Sequence, residues 1–190
     1  MRHRTVAVGA AAALAAGSAW LGVGAASATG AGSSGDDRWG NGWPTTATAP
    51  SVAAARQLAA DKVGAAAAAR SDVLILRART VRDAEVDINN DGFGPGDFFM
   101  FEEKLFDQDG TERVGRDSVR CEARIRTFSC EGTLRIAHKG KIMISGALFR
   151  ENDLTLAVVG GTGAYKGASG QFNVFDLPRG EALFVIHLLR

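Results

Sequence analysis

From Asp72 to the end, the chain alternates short apolar runs with polar punctuation. Val73 to Arg79 alternates apolar and basic residues, and Asp97 to Phe106 is rich in aromatics. Glu112 to Cys121 follows the turn Asp109-Gly110, and Thr127 to Ala137 leads to the turn His138-Lys139-Gly140. Lys141 to Phe149 ends at Glu151-Asn152, and Leu154 to Val159 runs into a Gly-rich loop. Gln171 to Phe175 and Ala182 to Leu189 flank Leu177-Pro178-Arg179-Gly180. Period-two alternation at hairpin spacing, with almost no helical period, predicts about eight strands in an all-β sandwich or closed barrel. An eight-stranded barrel has room inside for side chains or one small ligand.

The N-terminal part has a different texture. Arg2 and Arg4 precede an apolar stretch from Thr5 to Val23, and Ala26-Ser27-Ala28 is a small-residue cleavage site. This pattern predicts a secretory signal over 1–28 and an exported mature chain starting near Thr29. No later stretch is apolar enough to span a bilayer, so no membrane association is expected after cleavage. Residues 29–71 are rich in Ala, Gly and Ser, with Trp39 and Trp43 as isolated aromatics. They read as a flexible linker, with a short helix in the Ala-rich part that can bury little. The barrel domain is expected over 72–190.

Charge excludes one class of partner. Lys plus Arg is 22 and Asp plus Glu is 21 over 190 residues. A nucleic-acid binder shows a clear basic excess, and this chain shows none. Its two cysteines, Cys121 and Cys130, suggest a disulfide in an exported chain.

Familiar motifs carry little. Asp87-Ile88-Asn89-Asn90-Asp91-Gly92 fits the front of a calcium loop, but Phe98 stands where the bidentate Glu belongs, so an Asn/Asp/Gly turn is expected. Gly160-Gly161-Thr162-Gly163 completes neither a dinucleotide fingerprint nor a P-loop. Beyond the leader the histidines are His138 and His187, too few for a zinc site, and no Ser sits in a nucleophile elbow. The segment before Leu105 is more informative. Asp97, Phe99, Phe101, Glu103 and Leu105 share one strand face, which places two carboxylates among aromatics. Pointing inward, Asp97 and Glu103 would be buried, with raised pKa values suited to proton handling or cation stabilisation. Pointing at the barrel rims, they would sit in water.

The segment Gly96-Asp97-Phe98-Phe99-Met100-Phe101-Glu102-Glu103-Lys104-Leu105-Phe106 resembles that of the plant allene oxide cyclases, with Gly-Asp, a Phe and Lys-Leu-aromatic. Arg113-Val114-Gly115 matches that family's Arg-Val-Gly, and Cys121 falls at the offset of its active-site cysteine. Leu156-Ala157-Val158-Val159-Gly160-Gly161-Thr162-Gly163 resembles both that family and the dirigent proteins. Gly167-Ala168-Ser169-Gly170-Gln171 is similar to the cyclase's Gly-Ala-aromatic-Gly-Gln. The likeness runs from Gly96 to Leu189, half of the chain.

The resemblance implies an eight-stranded antiparallel closed barrel, lipocalin-like in shape, with an apolar cavity, no cofactor and a homotrimeric assembly. Such barrels steer a reactive intermediate by holding one conformation of it. Asp97 and Glu103 are the candidate catalytic residues, and Phe99 and Phe101 the candidate walls. Arg77 stands where the cyclase has a first-strand glutamate, and Thr155 where dirigent proteins have an acid. Glu103 replaces a water-binding Asn, and Ser169 replaces the dirigent Arg, so neither chemistry carries over intact. Cys121 has two readings, an active-site thiol or half of a disulfide with Cys130. The expectation is a secreted barrel that binds a small apolar molecule and steers its cyclisation or coupling. The alternatives are a non-catalytic carrier of hydrophobic ligands and a structural barrel filled by its own side chains.

Overall fold

A computed structural model describes residues 47–49, 51–149, 154–177 and 181–189. The expected signal segment, Trp39 and Trp43 lie outside the described residues. The elements are β1 (Ala47–Thr48), α1 (Val52–Val63), α2 (Ala65–Ala68), β2 (Asp72–Val86), β3 (Phe98–Phe106), β4 (Arg113–Ala123), β5 (Thr127–Ile136), β6 (Gly140–Phe149), β7 (Thr155–Gly163), β8 (Ser169–Leu177) and β9 (Glu181–Leu189).

Strands β2 to β9 pair in sequence order, each antiparallel to the next, and β9 returns to pair with β2. The result is a closed eight-stranded antiparallel barrel, the one of the two architectures allowed by the alternation that the resemblance implies. Closure leaves no free sheet edge along the eight strands, except where β7 ends early. There β1 runs parallel to β8, with Ala47 opposite Phe175 and Thr48 opposite Asp176.

Period-two alternation sorts each strand into an inner and an outer face. Leu105, Leu134, Ile142, Phe172, Phe184 and Ile186 point inward and form the main core. On β9 the intervening residues Leu183 and Val185 point outward, yet they too are fully buried. They form a second cluster with Phe175, Ile75, Ala55 and Ala59 beneath α1. This differs from the sequence expectation that the Ala-rich segment buries little. Ala55 and Ala59 are fully buried because methyl side chains let the helix lie close against an outward apolar stripe. Ser51 caps the helix, its hydroxyl accepting from the Ala54 N–H at 3.2 Å, and Gly64 ends it at φ 84°.

Three strands run well past their predicted bounds, among them β8, which spans Ser169–Leu177 where Gln171 to Phe175 is expected. β2 continues past Arg79 to Val86 through a register irregularity between Thr80 and Arg82. Polar residues on both faces there hide the alternation. β7 runs on through Gly160-Gly161-Thr162-Gly163, which is strand and not loop. A Cβ at Gly161 would lie 2.5 Å from the Tyr165 carbonyl oxygen, so only glycine admits that close approach.

Candidate functional site

The inward residues of β3 and β4 build one wall of the interior. Phe99, Phe101 and Glu103 stand opposite Cys121, Val119 and Asp117 respectively. Residues 99, 101, 103, 119 and 121 line an internal cavity of about 40 Å³, closed elsewhere by Leu148, Leu154, Phe172 and Phe184. Above it, Phe93 from the β2–β3 loop lies 6.5 Å from the Phe128 ring, and Phe99 meets Phe128 edge-on at 5.6 Å. The upper end is therefore an aromatic cluster.

Cys121 and Cys130 face each other in register across β4 and β5 and are joined as a disulfide. Both sulfurs belong to the cavity wall. Of the two readings of Cys121, the structure shows the disulfide.

The cavity lining has one carboxyl, Glu103, and Asp117 is buried opposite it on β4 without lining the cavity. Glu103 and Asp117 are 4% and 3% exposed and directly opposed. The Thr80 hydroxyl donates to Glu103 Oε1 at 3.0 Å, and the Glu103 N–H donates to Asp117 Oδ1 at 3.0 Å. Asp117 Oδ2 is buried with no hydrogen-bond partner. Burial pushes Glu103 up to about 7, against a downward pull from its hydrogen bonds with Thr80 and Asp117. Asp117 is held well above the ordinary carboxylate range by burial, and next by the charge of Glu103. Two facing buried carboxyls cannot both ionise cheaply, and both are pushed toward the protonated form.

The structure separates the other candidates. Asp97 is buried but does not line the cavity. Its Oδ1 accepts from the Ile88 N–H and its Oδ2 from the Gly94 N–H, both at 2.8 Å, so it clamps the β2–β3 loop. Arg77 is on the outer face, 2.7 Å from Glu181, which also pairs with Arg79 at 2.8 Å. Thr155 is also on the outer face, donating to Asn173 Oδ1 at 3.1 Å. Both positions came from matching motifs rather than from strand parity, and parity sends their side chains out: Leu76 and Leu156, their neighbours, point in. Asp117 and Thr80 were missed. Parity would have found Asp117, which lies four residues before the inward Cys121 on the same strand.

Asp87 accepts from the N–H groups of Asn90, Asp91 and Gly92, at 2.6, 3.3 and 2.9 Å, so the calcium-like segment is a carboxylate-capped turn. His187 lies on the outer face with its Nδ1 2.8 Å from Ser71 Oγ, and its pKa is lowered by burial and by Arg56. Among the described residues, no group of three or more His, Cys, Asp or Glu could hold a metal ion.

Fold and site together define a closed eight-stranded barrel with an apolar interior, the fold that the cyclase and dirigent resemblance implies, and beside that interior a buried acid pair. No known family profile matches the chain, and no curated protein is similar to it. Among solved structures it is similar to a pyocyanin demethylase at 22% identity and a TM-score of 0.55, over 62% of this chain and 99% of that one. That likeness shows a shared fold. Looser likenesses, both at a TM-score of 0.47, are to the Diels Alderase AbmU from Streptomyces koyangensis and to a pterocarpan synthase dirigent protein. The first is 15% identical over 74% of this chain and 80% of that one, the second 17% identical over 62% and 82%.

Proposed function

We propose that the barrel interior takes up a small apolar molecule and steers its cyclisation or coupling, with Glu103 and Asp117 as the proton-handling pair. The observation that carries this reading is the pair itself. Two carboxyls buried in an apolar wall, with one oxygen left without a partner, cost stability and do nothing for packing. Such a cost is expected where a group must hold a proton at neutral pH. The neutral member donates that proton to the bound molecule, and the resulting carboxylate stabilises the cation. Ring closure or coupling returns the proton to the pair, so none is consumed. Phe99 and Phe101 hold the apolar body in place. Asp97 acts indirectly by fixing the loop that carries Phe93.

One observation favours a second reading, a barrel filled by its own side chains. A cavity of about 40 Å³ holds only two or three waters. A larger ligand must therefore push apart the aromatic cluster of Phe93, Phe99 and Phe128. Native mass spectrometry of the exported chain separates the readings. The first expects a co-purifying molecule at one per barrel, or a gain in thermal stability with a panel of apolar polyenes and phenols. It also expects Glu103→Gln with Asp117→Asn to keep binding and lose turnover. An empty barrel with no thermal gain sinks it.

Export and a homotrimer belong to this proposal. They rest on the leader pattern at 1–28 and on the resemblance, and the same spectrum reads out both the mature N-terminus and the subunit count.

A further inference from the structure

The outer wall of the barrel carries a row of five positive charges, four of them without an ion pair among the described residues. Arg79 stands opposite Lys104, Lys104 opposite Arg116, Arg116 opposite Arg135, and Arg135 opposite Lys141. Arg79 is engaged by Glu181 and lies 4.4 Å from the Phe106 ring centre. Lys104, Arg116, Arg135 and Lys141 are exposed and make no ion pair among the described residues. Like charges facing across neighbouring strands oppose folding, and here they face at every step from β2 to β6.

Beside the row is a hollow of about 300 Å³ lined by Arg116, Arg135, Lys141, Ser118 and Thr133, with Glu102 and Asp117 as its acids. Ser118 and Thr133 are directly opposed. Two guanidinium forks, an ammonium and two hydroxyls are donors that suit the oxygens of a phosphate group. Two acids face the three cations, and of these Glu102 is exposed while Asp117 is buried beneath the hollow. The row runs across the strands, so it follows the convex circumference, spanning roughly 14 Å from Lys104 to Lys141 at about 4.8 Å per strand. A flat bilayer touches only part of such an arc, whereas a chain that bends can follow it.

We propose that this row binds a flexible linear polymer of phosphate groups, with the hollow between Arg116, Arg135 and Lys141 seating one phosphate. The test is fluorescence anisotropy of labelled long-chain inorganic polyphosphate titrated with the full chain at several salt concentrations. Saturable binding is expected, weakened about tenfold or more in Arg116→Ser with Arg135→Ser. The slope of log affinity against log salt should fall by about 1.4 in that variant. Without polymer, the same variant should melt at a higher temperature, because the facing charges are gone. Equal binding by wild type and variant overturns the proposal. So does an equal loss in Arg124→Ser with Arg126→Ser at the opposite end of the barrel. Binding of phosphatidylglycerol vesicles or duplex DNA as tight as that of polyphosphate overturns it as well.

Discussion

Two polar groups buried on opposite faces of this barrel wall are settled differently. Beneath α1, on the outer face, Asn173 is fully buried. Its Oδ1 accepts from Thr155 at 3.1 Å and from Gln171 at 3.1 Å, and its Nδ2 donates to the Val185 carbonyl at 3.3 Å. Lys62 reaches the same network from the helix, 3.3 Å from Thr155 Oγ1. On the inner face, Glu103 and Asp117 are just as deep but leave Asp117 Oδ2 without a partner. A satisfied amide network fixes structure. A carboxyl pair short of partners is a standing cost, retained for what it can do with a proton.

The largest effect should come from Asn173→Leu, which strands the partners of Asn173 beneath the helix. We expect a loss of about 3–4 kcal/mol in urea unfolding. A loss under about 1 kcal/mol would mean that the network is decoration. Next, Cys121→Ser with Cys130→Ser reopens a loop of sequence separation 9 on the inner wall. The cost should be about 2.7 kcal/mol, measured against the oxidised parent.

The carboxyl pair should behave in the opposite sense. Its folded-state pKa values lie above the unfolded ones, so folding favours the protonated form. The stability this brings is full below the unfolded value of 4.5 and is lost as pH climbs through about 7. Glu103→Gln with Asp117→Asn should therefore flatten the melting profile between pH 5 and 8. It should be the more stable protein at pH 8, by about 2 kcal/mol. A wild type whose stability holds level across that window would contradict the buried-pair picture. The smallest effect belongs to an acid already satisfied by backbone. Asp87→Ala removes the carboxylate that accepts from three N–H groups of an exposed turn and should cost about 1 kcal/mol, read as a small drop in melting temperature.

Much of the fold was legible because a barrel strand must alternate, and alternation survives in a single sequence. The same rule put Glu103, Phe99 and Phe101 on one face. It could not choose between core and rim for Asp97, because a loop clamp needs Gly94 and Ile88 to fold back first, and no periodicity encodes that. Asp117 was overlooked because its strand begins Arg113-Val114-Gly115-Arg116, where charge masks the inward parity. The seating of α1 was hidden for a different reason. A helix face made of Ala55 and Ala59 has almost no hydrophobic contrast with its other faces, and the apolar stripe that receives it lies more than a hundred residues away at Phe175, Leu183 and Val185.

The short pairing of β1 has a consequence for handling the protein. β7 pairs with β8 only as far as Thr155 opposite Asn173, while β8 continues to Leu177. The exposed backbone at Phe175 and Asp176 is closed by β1, and the Ala49 N–H donates to the Asp176 carbonyl at 3.0 Å. A fragment trimmed to start at α1 would bare a strand edge flanked by apolar residues, which is a template for intermolecular β-pairing. Such a fragment should aggregate, even with all eight barrel strands intact.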